Sequence, residues 1–209
     1  MKHLIKSILA GIMIGIGATV YLSLENKIVG SLSFSIGLFI ILTKELNLFT
    51  GKIGYIFNNG LSYVKEVVIT LIGNFLGTFL VGSVLRCSRI SNVIAQESEQ
   101  ICTIKLNDNL VSIFILSIFC GILMYLAVNG YKESKDNFAK YAGVFLGVSV
   151  FILCGFEHCI ANMYYFTIAG MWTLKTIGYL GIMILGNSIG GTFFPLCDKL
   201  INLFKIHLN

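Results

Sequence analysis

Residues 155–163 read GFEHCIANM and set Glu157 beside His158, with Asn162 four residues on along the same helical face. An imidazole in such company can donate a hydrogen bond to an anion or hand it a proton. The flanking stretches 141–156 and 159–174 carry no charge, and each falls short of the roughly 20 apolar residues that a straight membrane-spanning helix needs. The segment therefore belongs at membrane depth, where ionisable groups are expensive and mark ion or substrate paths. Removal from water favours neutral His158, whereas an arriving anion favours its charged form, so hydrogen bonding and proton transfer both stay open. Glu157 is expected to point away from the anion, capping a helix end or holding the interrupted backbone.

The same segment offers thiols. Cys154 lies one helical turn before His158 and Cys159 lies next to it, but a reactive thiolate needs an activating environment and no third member completes a catalytic set. Transport is expected rather than catalysis, and a membrane scaffold would not need the matched breaks described below. CGFEHC lacks a second ligand pair at zinc-finger spacing, so no metal or cofactor is expected. Cys120, Cys154, Cys159 and Cys197 lie in or beside apolar runs, and most of them read as small core residues. Cys87 and Cys102 flank a polar loop and can pair only if it faces an oxidising compartment.

Composition sets the elements that must position these groups. The 209 residues are 56% hydrophobic and 12% charged, with 22 glycines and one proline, Pro195. A soluble domain carries about 25% charge, so this is an integral membrane chain, and continuous apolar runs without period-two alternation favour helices over a barrel. The first run, 7–24, has no small-residue cleavage site and is expected to remain as a helix. The net charge of +5, with lysines mainly at run ends, suits topology control better than nucleic-acid binding.

Uncharged stretches cover residues 7–24, 28–43, 53–64, 67–85, 106 or 110–131, 141–156, 159–174 and 176–197. Counting the short neighbours as broken elements gives six spans in the order full, broken, full, twice over. Three spans per half invert the second half in the membrane, and paired interrupted helices in such repeats point to the transport site. The closing helix of each half supports the duplication: Gly73-Asn74-Phe75-Leu76-Gly77 resembles Gly186-Asn187-Ser188-Ile189-Gly190. Repeat one is expected at about 1–87, a polar loop at about 88–108, repeat two at about 109–198 and a short tail at 199–209. GxxxG spacings at Gly11/Gly15, Gly73/Gly77, Gly143/Gly147 and Gly186/Gly190 suit close helix packing.

The first break, residues 43–52, reads TKELNLFTGK. Non-helical backbone at membrane depth must be buried in protein or line a cavity. Thr50 and freed amides can meet an anion there while Leu48 and Phe49 narrow the passage, unless the segment is a loop with Lys44, Glu45 and Lys52 in water. Six spans put both termini on one face, together with Lys2, Lys6, Lys65, Lys132, Lys135, Lys140, Lys199 and Lys205; the other face holds Lys27, Arg86, Arg89, Lys105 and Lys175. The bias places the termini in the cytoplasm of a cell (inner or plasma) membrane protein.

GFEHCIANM resembles the formate/nitrite transporter signature GFEHxxANM, and Leu48-Phe49-Thr50-Gly51 resembles that family's LFTG segment. The likeness extends over nearly all six spans, and the chain is most similar to the hydrosulfide channel branch. The resemblance implies an all-α, aquaporin-like bundle of two inverted three-helix repeats, with the second and fifth helices interrupted. It also implies a homopentamer with one pore per protomer, passing hydrosulfide, with formate or nitrite as the second reading. Carried onto matching positions, it makes His158 the central pore histidine, Thr50 its neighbour at the slit, Asn162 the signature asparagine and Lys105 a vestibule lysine that gathers anions. Phe151 with Val128 would form the outer constriction, and Leu38 with Phe49 the inner one. Glu157, Asn47, Gly51, Asn74 and Asn187 would be structural at the helix breaks. The chain departs from the family pattern at Asn47, commonly acidic or serine, and at Tyr125, where the fourth span commonly offers an asparagine.

Overall fold

The computed structural model describes the backbone of residues 1–207 and the side chains of residues 1–203. Among the described residues there are helices and connections and no strands. The helices are α1 (Lys2–Ser23), α2 (Lys27–Phe34), α3 (Ile36–Thr43), α4 (Phe49–Lys52), α5 (Leu61–Leu85), α6 (Ser91–Asn107), α7 (Leu110–Glu133), α8 (Asn137–Leu153), α9 (Cys159–Ala169) and α10 (Leu174–His207), with a 3₁₀ turn at Ile53–Asn58. By length and composition, α1, α5, α7 and α10 can each cross a membrane, while Lys27–Thr43 and Asn137–Leu153 are shorter apolar helices. These two lead into the breaks.

Three boundaries differ from those expected. The apolar stretch 53–64 does not complete the first broken element: it turns at Asn58-Asn59-Gly60, and Leu61 already opens α5. The expected polar loop 88–108 is mostly the helix α6, whose Ile94, Ser98, Cys102 and Leu106 form a buried stripe at four-residue spacing. That stripe packs on α9, where the Ser98 hydroxyl donates to the Tyr165 carbonyl at 2.8 Å. The expected tail is a continuation of α10 as far as His207, past Pro195; Leu208 and Asn209, with the side chain of Lys205, lie outside the described residues.

Long helices pair as α1 with α5 and α7 with α10, and glycines set how close they come. A Cβ at Gly77 would strike the Ile8 carbonyl, and one at Gly190 the Ile118 carbonyl. The two contacts correspond, as the duplication requires. Gly143 has open space around it instead, so the Gly143/Gly147 spacing makes no such seam.

The two breaks are copies of each other at the level of single hydrogen bonds. Leu46 N–H donates to Ile41 O and Phe156 N–H to Phe151 O, both at 2.8 Å; Asn47 N–H reaches Lys6 O and Glu157 N–H reaches Leu116 O, both at 3.3 Å. One constant sequence offset relates these pairs and also Ser7 with Ser117, Glu45 with Gly155 and Tyr55 with Tyr165, while the closing-helix pairs, Asn74 with Asn187 and Gly77 with Gly190, stand three residues farther apart. At the turn itself the chain needs the left-handed region, with φ of 67° at Gly155 and 50° at Glu45. Glycine adopts this freely, while another residue is disfavoured by about 1–2 kcal/mol. Because nothing lies within 4 Å of a Cβ built on Gly155, Gly155→Ala isolates the backbone term. It is expected to lower stability by about 1 kcal/mol and Glu45→Gly to raise it by a similar amount, read as opposite shifts in the melting temperature of the purified protein.

Candidate functional site

At each break the first N–H groups of a new helix and the last carbonyls of the old one lie where water is scarce. An unpaired buried backbone group costs about 1–3 kcal/mol. One asparagine from the closing helix of each half satisfies two of the break's groups and ties them to a carbonyl of the facing long helix. Asn74 Oδ1 accepts from Phe49 N–H at 2.8 Å, and its Nδ2 donates to Ser7 O at 2.7 Å and Asn47 O at 2.8 Å. Asn187 repeats the set, accepting from Cys159 N–H at 2.8 Å and donating to Ser117 O at 2.8 Å and Glu157 O at 2.7 Å. The glycine before each asparagine lets the neighbouring helix approach, since a Cβ at Gly73 would strike Ser7 and one at Gly186 would strike Ser117. The paired GNxxG motifs thus build the two breaks.

The repeats then diverge in the residue that opens the new helix. Leu48 makes no side-chain cap on α4, whereas His158 caps α9, its Nδ1 accepting the Ala161 N–H at 3.1 Å. A nitrogen that accepts is unprotonated. The ring proton therefore sits on Nε2, which lies 2.9 Å from Thr50 Oγ1 and donates to it. Thr50 makes no other side-chain hydrogen bond among the described residues, so its own hydroxyl proton is free to be offered onward. His158 and Thr50 are 2% and 1% exposed, and this bond joins the two broken elements across the centre of the molecule.

Two cavities approach this contact from opposite ends. The one on the face away from the termini has a volume of about 240 Å³ and is lined by His158, Phe151, Glu157, Asn162 and, from α6, Lys105. Phe151 stacks on the His158 ring at 5.4 Å. The cavity on the terminal face, about 490 Å³, is lined by Leu38, Leu48, Gly51, Val128, Asn47, Lys52 and Lys132 among others. Val128 therefore sits with Leu38 on the terminal side, with its methyls against Gly51, and not with Phe151 as expected. The register explains the difference: Val128 lies near the terminal end of α7, beyond the level of the His158 contact. Phe49 is buried but lines neither cavity; its backbone is held by Asn74.

Lys105 and Glu157 form a buried ion pair at 2.6 Å, with side chains 11% and 3% exposed. Asn162 donates to the same carboxylate at 2.8 Å and to His158 O at 3.0 Å. Both amide hydrogens are thereby committed, and Asn162 Oδ1 is left as the buried side-chain polar atom without a partner among the described residues. Glu157 thus has two roles where one was expected: its carbonyl belongs to the break, while its carboxylate turns into the cavity because Lys105 requires it. Sequence spacing could not show this, because α6 carries Lys105 in from a separate element. Tyr125 does not reach His158 at all and packs on Tyr55 and Gly54 on the terminal side. Cys87 and Cys102 are both free, and Cys102 is buried in the α6 stripe.

The sequence profile of the formate/nitrite transporter family matches residues 1–198. The chain belongs to the formate/nitrite transporter family. It is 28% identical to a formate-nitrite transporter of Plasmodium vivax, over 94% of this chain and 75% of that protein. It is 26% identical to a formate channel, FocA, of Haemophilus influenzae, over 66% of this chain and 52% of that protein. A solved pentameric formate channel with formate bound shares the fold with a TM-score of 0.82 at 24% identity, each chain covered to 97%. As a formate/nitrite transporter family member the chain is a multi-pass membrane transport protein and not an enzyme.

Replacing Asn187 with Leu would leave two buried backbone groups of the break, Cys159 N–H and the Glu157 carbonyl, without this partner. The expected result is a loss of several kcal/mol and a large fall in melting temperature, with Asn74→Leu behaving alike. If either variant melts like the parent protein, the amides do not hold the breaks.

Proposed function

We propose that each protomer conducts a small weak-acid monoanion through the His158–Thr50 contact, with hydrosulfide as the first reading and formate or nitrite as the second. The observation that carries this is the buried hydrogen bond between the two broken helices, with a cavity on either side. Hydrosulfide suits a passage whose central donors are one imidazole N–H and one hydroxyl, because it is small, singly charged and close in protonation energy to its neutral acid. Formate is supported by the relatives, which include a formate channel and formate-nitrite transporters. A homopentamer is supported by the matching pentameric fold, and cytoplasmic termini by the lysine bias.

The steps follow from the groups present. In the outer cavity an arriving weak acid meets donors on the Lys105 ammonium and an acceptor in Asn162 Oδ1, so either protonation state finds a partner. Pairing with Glu157 offsets the charge of Lys105, which favours brief contact over tight binding. Apolar Phe151 on one side and Leu38 and Val128 on the other exclude bulk water, which strengthens any hydrogen bond formed between them. Near the centre the anion accepts from the Thr50 hydroxyl, itself polarised by the His158 Nε2–H.

Because Nδ1 is engaged with Ala161, a second ring proton would break the α9 cap. The neutral ring is therefore a donor, and pH dependence of flux belongs to the weak acid's own protonation. In reconstituted vesicles, His158→Asn retains a good helix cap but loses the reach to Thr50. Flux is expected to fall about three- to tenfold, the size of one hydrogen bond between neutral groups, with the shape of the pH profile kept. A pH-independent flux in this variant would instead make His158 the proton carrier. Comparing hydrosulfide, formate, nitrite and chloride in the same vesicles ranks the substrates, and failure of all four overturns the channel reading.

A further inference from the structure

The two cavities are related by the repeat, yet the residues at their equivalent positions differ in charge. Where the outer cavity has Glu157 and Asn162, the terminal-side cavity has Asn47 and Lys52. The outer lining contains Lys105, Asp108 and Glu157, and the terminal-side lining Glu45, Lys52 and Lys132. One set sums to a negative charge and the other to a positive one.

The two lysines are held in place by aromatic faces and not by buried carboxylates. Lys132 Nζ lies 4.1 Å from the centre of the Tyr55 ring, whose hydroxyl is fixed by Asn129 at 2.9 Å. Lys52 Nζ lies 5.3 Å from the centre of the Tyr63 ring, and the Tyr63 hydroxyl donates to the Lys52 carbonyl at 3.0 Å. A cation over a ring keeps its N–H donors available to other partners. The nearest carboxylates compete weakly: Glu66 is 3.5 Å from Lys52 but half exposed, and Glu45 is turned to solvent near Lys6 at 3.9 Å. Among the described residues no further carboxylate lines the cavity. Lys52 is half-buried and Lys132 exposed, and the two share the wall of one cavity with Leu48 and Gly51, on either side of Thr50.

We propose that Lys52 and Lys132 form a second anion site, a capture site for small monoanions at the terminal mouth of the pore. It rests on the channel reading and adds a direction to it: anions are concentrated on the terminal face and not on the face where Lys105 is neutralised. A cleft of one sign raises local counter-ion concentration and entry rates by about tenfold or more.

Two measurements on the full-length protein test it. In oriented vesicles, the double substitution Lys52→Gln/Lys132→Gln is expected to raise the half-saturating formate concentration for entry from the terminal face by about tenfold, and from the opposite face by less than about twofold. Equal changes from both faces, or none, overturn the proposal. Crystals soaked in bromide should show anomalous density between the two ammonium groups, lost in the double variant. Bromide found only beside Lys105, or nowhere in the terminal-side cavity, also overturns it. The bromide result does not depend on conduction, so a protein that passes no anion would sink the channel reading while leaving this site to be judged on its own.

Discussion

A helix that stops in the middle of a membrane leaves backbone donors and acceptors with no water to meet them, and the rest of this structure is arranged around that constraint. Asn74 and Asn187 each take up two of those groups and bond a carbonyl of the facing long helix, at distances of 2.7–2.8 Å. Each asparagine is reached only because a glycine one position earlier lets the facing helix come within backbone contact. Small residues, close helices and broken helices are thus one device, used twice in opposite orientations.

Duplication supplies the frame and divergence supplies the chemistry. The capping residue is Leu48 in one half and His158 in the other, so only one break presents an imidazole. Capping through Nδ1 fixes the tautomer, which aims the remaining proton at Thr50 in the opposite break. The same contrast appears one helical turn on, where Asn162 ties Glu157 to the His158 carbonyl while its counterpart Lys52 stands over an aromatic ring. The additional helix α6 then brings Lys105 to Glu157 on one face only. Two mouths built from one repeat therefore differ in charge.

Much of this was legible in the sequence. The interrupted second and fifth spans, the two GNxxG motifs and the histidine at the second break could be read from apolar runs and matched motifs. The shared register of the two breaks was not, because equivalent positions carry residues as different as Glu45 and Gly155 or Leu48 and His158; their likeness lies in backbone hydrogen bonds. Helix α6 was hidden by polar composition, although Ile94, Ser98, Cys102 and Leu106 at four-residue spacing were the available signal. The placement of Val128 beside Leu38, and of the Glu157 carboxylate on Lys105, depends on contacts between elements far apart in the chain. Local pattern carries no information about them.

The central claim is that His158 works as a neutral ring, capping through Nδ1 and donating through Nε2. Nitrogen NMR of the protein in bilayers, with its histidine rings labelled and His158 assigned by substitution, tests it most directly. The account predicts an unprotonated Nδ1 and a protonated Nε2 for His158 across the pH range in which the protein conducts. A ring protonated at Nδ1, or one that becomes doubly protonated within that range, would contradict it.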